Sequence, residues 1–331
     1  MRRVNGLFEE FTSFRNLLSA YGKARRGTRS NQETAAFFFR QEQELFQLQE
    51  DLQSLRYEPQ PYRYFKIYDP KERTISVAPF RDRVAHHALV NVLEPIYERC
   101  FIHDSYATRK GKGAHAAVAQ AQRYLGQESW FLKTDIDKYF DSIRHRNLLG
   151  LIERKIKDAR LLAITERIVR NGGINGVGLP IGNLTSQFFA NVYLNGFDHF
   201  VKQELRVRRY VRYMDDFVQF STEKEALKAH RKAVEAYLAE ELGLRLKPGA
   251  TFINSASNGL TFLGRRIFPN LVRLAPANLR RITRRMDRRE EEFINGNITE
   301  ETFLQSMNSY WAMLQHGGNL NLRKGLLKDK G

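Results

Sequence analysis

Three aspartates lie where short, mostly apolar strands are expected to end or to turn. Asp135 ends the segment 130–135, and Asp215 and Asp216 lie side by side within the segment 210–220. Neighbouring carboxylates among apolar residues repel each other and lose hydration, and a divalent cation relieves both costs. Carboxylates fixed at a sheet edge can bridge two Mg²⁺ ions about 3.5–4 Å apart, an arrangement that catalyses phosphoryl transfer. A lone aspartate in a turn is more often a turn former, so the adjacent pair carries most of this inference.

The segments around these acids alternate between strand and helix periodicity. In chain order they predict a strand over 130–136, a helix from the N-cap candidate Ser142, a glycine-rich loop over 171–182, a helix over 184–205, two strands over 210–220 joined at 214–216, and a helix over 223–242 closed by Gly243. The flanking segments predict helices in the first 60 residues, a hairpin over 62–78 turning at Asp69-Pro70, a helix over 82–99, a strand pair or turn over 260–267, and basic helices from about 276. We therefore expect an α+β unit with helical material before and after it.

The charge of the chain favours a polyanionic partner. Its 331 residues include 54 Lys and Arg against 37 Asp and Glu, a net charge of +17. The helical spacing near the C-terminus places basic side chains in two adjacent rows of one helix, namely Arg280, Arg284 and Arg288 beside Arg281, Arg285 and Arg289. Phosphates would neutralise such a stripe, although a solvated surface is the alternative.

Other composition features exclude several classes of site. Cys100 is the only cysteine, so an intrachain disulfide and a cysteine-based zinc site are impossible, and a free thiol in a reducing cytoplasm is expected. No apolar stretch approaches the roughly 20 residues that span a bilayer, and the N-terminus lacks the pattern of a signal peptide. We therefore expect a cytoplasmic protein without a membrane partner.

The adjacent His86 and His87 favour packing or RNA contact over a metal site.

Four motifs together resemble those of reverse transcriptases. Residues 213–216 read Tyr-Met-Asp-Asp, the signature tetrapeptide of that family, and residues 131–143 resemble its first catalytic motif. Residues 178–187 resemble its template and nucleotide-binding motif, and residues 262–264 resemble its primer grip. The motifs occur in the family's order, and the resemblance covers roughly residues 60–325. It implies a right-hand polymerase, with a helical N-terminal extension over 1–60, fingers and a palm with an antiparallel sheet over 61–270, and a basic helical thumb over 271–331.

The resemblance also implies roles for individual residues. The principal metal ligands would be Asp135 and Asp215, with Asp216 as third carboxylate and Ile136 in the metal shell, holding two Mg²⁺ ions or Mn²⁺ as a substitute. Phe140 falls at the steric-gate position that selects dNTPs, whereas a plain core Phe is the alternative. The remaining nucleotide contacts would be Lys71, Arg73, Ile181, Gly182 and Met214, with exposed hairpin charges as the alternative for the first two. Template and primer contacts would be Ser186, Gln187, Phe262, Leu263, Gly264, Arg280, Arg281, Arg284 and Arg285. Lys247 is a candidate acid for pyrophosphate, although its surroundings match the family pattern poorly.

Residues 181–187 narrow the resemblance to one type of reverse transcriptase. Ile181 stands where many members have Gln, and Ile-Gly-x-x-x-Ser-Gln resembles the enzymes of diversity-generating retroelements. Residues 105–115 and 309–316 resemble the related group II intron enzymes. The resemblance implies a bacterial or phage enzyme that copies template RNA into cDNA with errors at adenines. It would form a ribonucleoprotein with structured RNA and a small, basic, oligomeric accessory variability protein.

Two other functions remain open on the sequence. One is a standalone reverse transcriptase of a bacterial defence system, or a reduced group II intron enzyme, without adenine-directed errors. The other is a catalytically silent RNA-binding scaffold, which the presence of all three acids opposes.

Overall fold

Helices make up the N-terminal part of the protein. A computed structural model describes residues 3–26, 32–68 and 71–315. The first helices are α1 (Phe8–Thr12), α2 (Phe14–Arg25), α3 (Gln32–Phe39), α4 (Gln41–Gln53) and α5 (Phe80–Glu98). Phe11, Leu17 and Leu45 lie in the shared core with the buried face of α5. The side chain of Asp158 also accepts the backbone N–H groups of Leu7 and Phe8, both at 3.0 Å, which ties α1 to the centre of the chain.

A β-hairpin leads from these helices toward the centre of the molecule. Its strands β1 (Arg63–Ile67) and β2 (Arg73–Val77) pair antiparallel from Arg63–Val77 to Ile67–Arg73. The hairpin prediction is confirmed, while the expected turn at Asp69-Pro70 lies outside the described residues. The Ser76 N–H donates to the Ile181 carbonyl at 2.8 Å, so the hairpin is fastened to the glycine-rich loop.

The central sheet is antiparallel and has the strand order β4-β5-β3-β6. Its strands are β3 (Trp130–Asp135), β4 (Arg209–Tyr213), β5 (Asp216–Ser221) and β6 (Phe252–Ser255). The surrounding helices are α6 (Ala114–Leu125), α7 (Tyr139–Ser142), α8 (His145–Glu153), α9 (Ala159–Arg170), α10 (Leu184–His199) and α11 (Lys224–Tyr237). Because strand side chains alternate between faces, Val211 and Val218 pack with α6 while Tyr210 and Phe217 pack with α10 and α11.

Several predicted boundaries are confirmed, and one is wrong. α10 continues as a π-helical turn to Glu204, and α11 continues likewise to Leu242, where Gly243 closes the helix at φ +65°. Ser142 does not cap a helix. It is the last residue of α7, its hydroxyl donates to the Lys138 carbonyl at 3.0 Å, and α8 begins after Arg144. Tyr139 is buried, and its hydroxyl donates to the Ala190 carbonyl at 2.6 Å. The helix that begins at Tyr139 therefore follows the strand more closely than predicted.

The C-terminal part combines a small sheet with two helices. The sheet contains β7 (Leu260–Phe262), β8 (Arg265–Phe268) and β9 (Leu271–Leu274), so the predicted strand pair is extended by a third strand. The helices are α12 (Pro276–Ile294) and α13 (Glu300–Gln315). Ile282 and Met286 of α12 pack with Leu314 of α13, which confirms the helical prediction over the described residues. None of the helices in the described ranges has the length and apolar character needed to cross a membrane.

Candidate active site

The three aspartates meet at one end of the central sheet. Asp135 ends β3 and is the register partner of Asp216, the first residue of β5. Met214 and Asp215 form the tight turn between β4 and β5, where Met214 has φ +55°. The Ile136 N–H donates to the Asp215 carbonyl at 3.3 Å. Hairpin register and strand pairing therefore bring together acids that lie 80 residues apart in the chain (215 − 135).

Burial, together with the neighbouring carboxylates, disfavours the charged forms of Asp215 and Asp216. Burial raises the pKa of Asp215, the charge of Asp135 raises it further, and Arg73 and Lys133 oppose the rise. Burial also raises the pKa of Asp216 to about 6, although the Lys133 ammonium acts in the opposite direction. Lys133 Nζ donates to Asp216 Oδ1 at 3.0 Å. A cation at this edge would stabilise the ionised forms of the acids.

The donor set fits a metal that shares its shell with substrate. Within the described ranges, no group of three or more Asp, Glu, His or Cys side chains is arranged so that it could hold a metal ion by itself. Lys133 occupies one oxygen of Asp216, which leaves Asp135 and Asp215 as the freer carboxylates. Mg²⁺ is commonly held by one or two carboxylates together with substrate phosphates and water. The residues present match that mode of binding.

A buried ion pair supports the turn that contains Met214 and Asp215. The Arg212 guanidinium donates from Nε and Nη2 to the Asp198 carboxylate of α10, at 2.7 and 2.6 Å, and both side chains are 0% exposed. Arg212 Nη1 also donates to the Met214 carbonyl at 3.1 Å. Burial alone would lower the pKa of Arg212, but Asp198 outweighs it and raises the pKa. This pair is not predicted from the sequence, where its one local signal is an arginine between apolar residues of a strand.

The glycine-rich loop connects the hairpin to the sheet end. The Leu179 N–H donates to the Phe140 carbonyl at 2.8 Å, which places Phe140 beside the loop. Asn183 Nδ2 donates to the Ser76 carbonyl at 3.1 Å. Gly182 has φ +111°, and a Cβ there would lie 2.8 Å from Ile75 Cγ2. A cavity of about 510 Å³ opens between hairpin and loop, and Ile181 lines it.

Other predicted nucleotide and metal residues lie at different distances from the acids. Arg73 at the start of β2 is close enough for its charge to act on Asp215, whereas Lys71 is exposed on the hairpin. Ile136 is buried next to Asp135. Lys247 is half-buried, and its backbone N–H donates to the Asp135 carbonyl at 2.8 Å. The backbone of Lys247 thus lies against that of Asp135 despite its poor sequence context.

The predicted template and primer residues divide into two groups. Ser186 is buried in the first turn of α10, and Gln187 accepts a hydrogen bond of 3.4 Å from Thr108 Oγ1. Phe262 is buried in β7. The β7–β8 turn contains Leu263 and Gly264, and the Gly264 carbonyl accepts from Asn278 Nδ2 at 3.0 Å. These last residues belong to the small C-terminal sheet and join it to α12.

The basic stripe is a continuous surface of α12. Arg280, Arg281, Arg284, Arg285 and Arg288 line one groove of about 610 Å³. Ile282 and Met286 occupy the opposite, packed face of the helix. Arg289 does not line the groove. Its guanidinium pairs with Glu292 at 2.6 Å, and Arg288 pairs with the same carboxylate at 2.8 Å. The resemblance over 309–316 falls on α13, except for His316, which lies outside the described residues.

Comparisons with known proteins agree with this geometry. The family model described as "Reverse transcriptase (RNA-dependent DNA polymerase)" matches residues 68–267, more than half of the chain. The chain is 28% identical to Protein YkfC of Escherichia coli (strain K12) over 272 residues, which are 68% of this chain and 71% of YkfC. It is 30% identical to the group II intron-encoded protein LtrA of Lactococcus lactis subsp. cremoris over 203 residues. That match covers 58% of this chain and 33% of LtrA, so the chain spans about a third of that relative.

A solved structure with a weaker likeness is apo telomerase from Candida tropicalis, with a TM-score of 0.49 and 12% identity over 66% of this chain and 49% of that chain. The family match includes both acidic motifs, the glycine-rich loop and β2. The chain therefore belongs to the reverse transcriptase family of RNA-dependent DNA polymerases, and its helices and antiparallel sheet form the right-hand polymerase fold.

Proposed function

We propose that this protein copies a template RNA into cDNA, with Asp135, Asp215 and Asp216 as its catalytic carboxylates. The observation that carries the proposal is the pairing of Asp135 with Asp216 beside the turn that holds Asp215. This arrangement gathers the acids of two motifs at one sheet end. Bound Mg²⁺, or Mn²⁺ as a substitute, would activate the primer hydroxyl and neutralise the triphosphate.

The protein's own residues would position the reactants around that centre. Asp135 and Asp215 are the proposed principal ligands, with Asp216 and Ile136 completing the protein side of the shell. Lys133 holds Asp216 in place through its 3.0 Å hydrogen bond. Other proposed nucleotide contacts approach from the hairpin and the loop, namely Lys71, Arg73, Phe140, Ile181, Gly182 and Met214. We keep Lys247 as a candidate proton donor to pyrophosphate, because its backbone lies against Asp135.

The nucleic acid would extend from this centre toward α12. The proposed template and primer contacts are Ser186, Gln187, Phe262, Leu263 and Gly264, followed by the arginine groove of Arg280, Arg281, Arg284 and Arg285. Cations along a groove bind the phosphate backbone and release counterions. We accordingly assign residues 1–60 to a helical extension of the fingers, 61–270 to fingers and palm, and 271–331 to the thumb.

Asp215→Asn tests the catalytic assignment. The variant keeps the size of the side chain but loses its charge, so dNTP incorporation on a primed RNA template should be abolished. RNA binding should remain close to wild type, because the phosphate contacts lie elsewhere. Asp137→Asn, at an exposed acid two residues after Asp135, is the matched control and should polymerise normally. Full incorporation by Asp215→Asn would refute the assignment.

A finer part of the proposal is adenine-directed infidelity of the diversity-generating type. Its support is Ile181, which cannot hydrogen-bond to a nascent pair and whose backbone is fixed to Ser76. Ile181→Gln should lower errors opposite template adenine, as measured by sequencing the cDNA. Ile181→Val, which keeps an apolar branched side chain, is the matched control. Unchanged error rates in the Gln variant would contradict this role.

A reduced group II intron enzyme, or a standalone defence enzyme, is the second candidate function. The similarity to LtrA, a group II intron-encoded protein, favours the intron type. Such an enzyme shares the aspartates but need not err at adenine. An excess of errors at adenine supports the first candidate, and an even error spectrum supports the second. Copurification with a small, basic, oligomeric accessory protein in a ribonucleoprotein would further support the first.

A further inference from the structure

Backbone hydrogen bonds join the glycine-rich loop to the segment that follows the first acidic motif. We call this pairing of residues 140–145 with residues 176–179 the clasp. The N–H groups of Leu179, Gly178 and His145 donate to the carbonyls of Phe140, Ile143 and Gly176, respectively, at 2.8, 2.8 and 2.9 Å. The clasp therefore holds the backbone of Phe140, a proposed nucleotide contact, against the loop that carries Ile181.

The side chain of His145 adds a further hydrogen bond to the clasp. The residue is 3% exposed, and its Nε2 lies 2.7 Å from the carbonyl oxygen of Gly178. A carbonyl oxygen only accepts, so Nε2 carries the proton that it donates. The other ring nitrogen, Nδ1, is also buried, and none of the described protein groups pairs with it. The one polar contact of the ring within the described chain is therefore with the glycine-rich loop.

Phe140 and His145 hold opposite edges of one peptide unit. The carbonyl of Gly178 and the N–H of Leu179 belong to the same peptide group, which is planar and rigid. The His145 ring bonds the carbonyl side of this plane, and the Phe140 carbonyl bonds its N–H side. Without the ring, the plane would be held by its N–H side alone. Gly178, which has φ +102°, is the residue type that resists rotation of the plane least.

A short, stiff link carries this orientation to Ile181. Leu179 and Ile181 are separated only by Pro180, whose ring fixes its own φ and also restricts the residue before it. On the other side, the Ile181 carbonyl accepts the Ser76 N–H at 2.8 Å. The position of Ile181 therefore depends on the peptide plane that His145 holds.

We propose that His145 is a positioning residue of the nucleotide site, which sets the spacing between Phe140 and Ile181 through the peptide plane of the clasp. The inference rests on the proposed function, which assigns both residues to contacts with the incoming nucleotide. An apolar side chain would fill the same buried position without the cost of desolvating a polar ring. The hydrogen bond to the loop is therefore what the histidine adds.

The test measures dNTP affinity without catalysis. A primer that ends in a dideoxynucleotide, annealed to template RNA, cannot be extended. Stabilisation of its complex with the full chain by the next dNTP and Mg²⁺ therefore gives a Kd for that dNTP. His145→Phe keeps a planar ring without a donor and should raise this Kd about tenfold, as expected for one hydrogen bond. Selectivity for the dNTP over the matching rNTP should fall as well, because the spacing at Phe140 is relaxed.

His145→Gln is the rescue variant, because its amide nitrogen is as many bonds from Cα as the histidine Nε2 and can donate to Gly178. It should return the Kd and the selectivity close to wild-type values, whereas His145→Asn, whose amide is one bond shorter, should not. In incorporation assays, His145→Phe should raise the KM for dNTP more than it lowers kcat, since the acids themselves are unchanged. A Gln variant that is no better than the Phe variant overturns the proposal.

His199→Phe is the matched control. His199 Nε2 lies 2.9 Å from the Cys100 carbonyl oxygen, so this variant also removes a histidine bond to a backbone carbonyl, but outside the clasp. It should keep the wild-type Kd and selectivity. An equal Kd in the wild type and His145→Phe, or an equal rise in His199→Phe, overturns the proposal. If His145→Phe does not fold, His145→Asn takes its place, and equal Kd values for the Asn and Gln variants overturn the proposal.

Failure of this inference is separable from failure of the proposed function. A wild type that extends an ordinary primer, with His145 variants that bind dNTP as tightly, overturns the positioning role alone. A wild type that binds dNTP with the expected dependence on His145 but does not extend a primer overturns the proposed function and leaves the positioning role standing. A wild type that neither binds nor incorporates dNTP overturns both.

Discussion

Replacing Arg212 with Met would break the buried ion pair that supports the turn of Met214 and Asp215. The substitution leaves the Asp198 carboxylate, which is 0% exposed, with Tyr210 as its remaining side-chain donor in the described structure. Removing one partner of a buried pair costs about 3–5 kcal/mol, because the other charge stays buried without compensation. That cost is a large part of the roughly 5–15 kcal/mol by which native proteins are stable. The Met214 carbonyl also loses its guanidinium donor.

Urea denaturation followed by tryptophan fluorescence measures the loss in the free energy of unfolding. Arg231→Met is the matched control, because Arg231 forms an exposed helical pair with Glu235 in which both side chains are 42% exposed. Exposed pairs of this kind contribute about 0.3–0.5 kcal/mol. A loss in Arg212→Met no larger than that in Arg231→Met would refute the reasoning about burial.

Arg212→Lys separates the positioning of the turn from stability. Lysine keeps the positive charge opposite Asp198 but lacks the planar fork that also reaches Met214. We therefore expect Arg212→Lys to recover much of the lost stability while dNTP incorporation stays impaired and requires more Mg²⁺. Wild-type incorporation and Mg²⁺ dependence in this variant would show that the fork does not position the turn.

Three further predictions concern His86, Gly182 and Phe140. Burial lowers the pKa of His86 in the folded protein to about 3, so its contribution to the free energy of unfolding is complete above the unfolded pKa of 6.5 and is lost as pH falls toward 3. In urea titrations, the free energy of unfolding of the wild type should therefore fall by about 2 kcal/mol more than that of His86→Phe between pH 7 and pH 5. Equal losses would contradict this. Gly182→Ala should lower the free energy of unfolding by about 1–3 kcal/mol because of its φ of +111° and the contact with Ile75. Gly150→Ala, at a helical position with open space around it, is the control and should not destabilise the protein. Thermal melts of both variants test this difference. Phe140→Ala should raise the ratio of rNTP to dNTP incorporation in single-nucleotide assays, and an unchanged ratio would remove Phe140 as the steric gate.

Periodicity in the sequence was sufficient for the elements that carry the acids. Alternating residues predicted β3, β4 and β5, and the turn at Met214 and Asp215 followed from two apolar segments that meet at charged residues. The meeting of Asp135 with Asp216 is a register pairing, which local pattern alone does not determine. Family resemblance supplied that expectation.

Features that depend on distant partners were not predictable. The sequence places Arg212 on a strand, but the stabilising effect of Arg212 depends on its ion pair with Asp198, which lies on a helix. Ser142 satisfies the preferences of an N-cap, yet burial of Tyr139 moved the helix start toward the strand. His86 Nε2 is buried without a hydrogen-bond partner in the described structure. The sequence could not predict this, because two adjacent histidines do not show which elements enclose them.

The Asp158 carboxylate links the first helix to the start of α9 at the centre of the molecule. The same carboxylate that accepts the Leu7 and Phe8 N–H groups also accepts the Leu161 N–H at the start of α9. Detaching α1 would leave this carboxylate with its local cap alone and expose the apolar side chains that α1 buries. We therefore expect a shortened protein that begins near residue 60 to have an exposed core, and we expect the N-terminal helices to unfold together with the central sheet rather than before it.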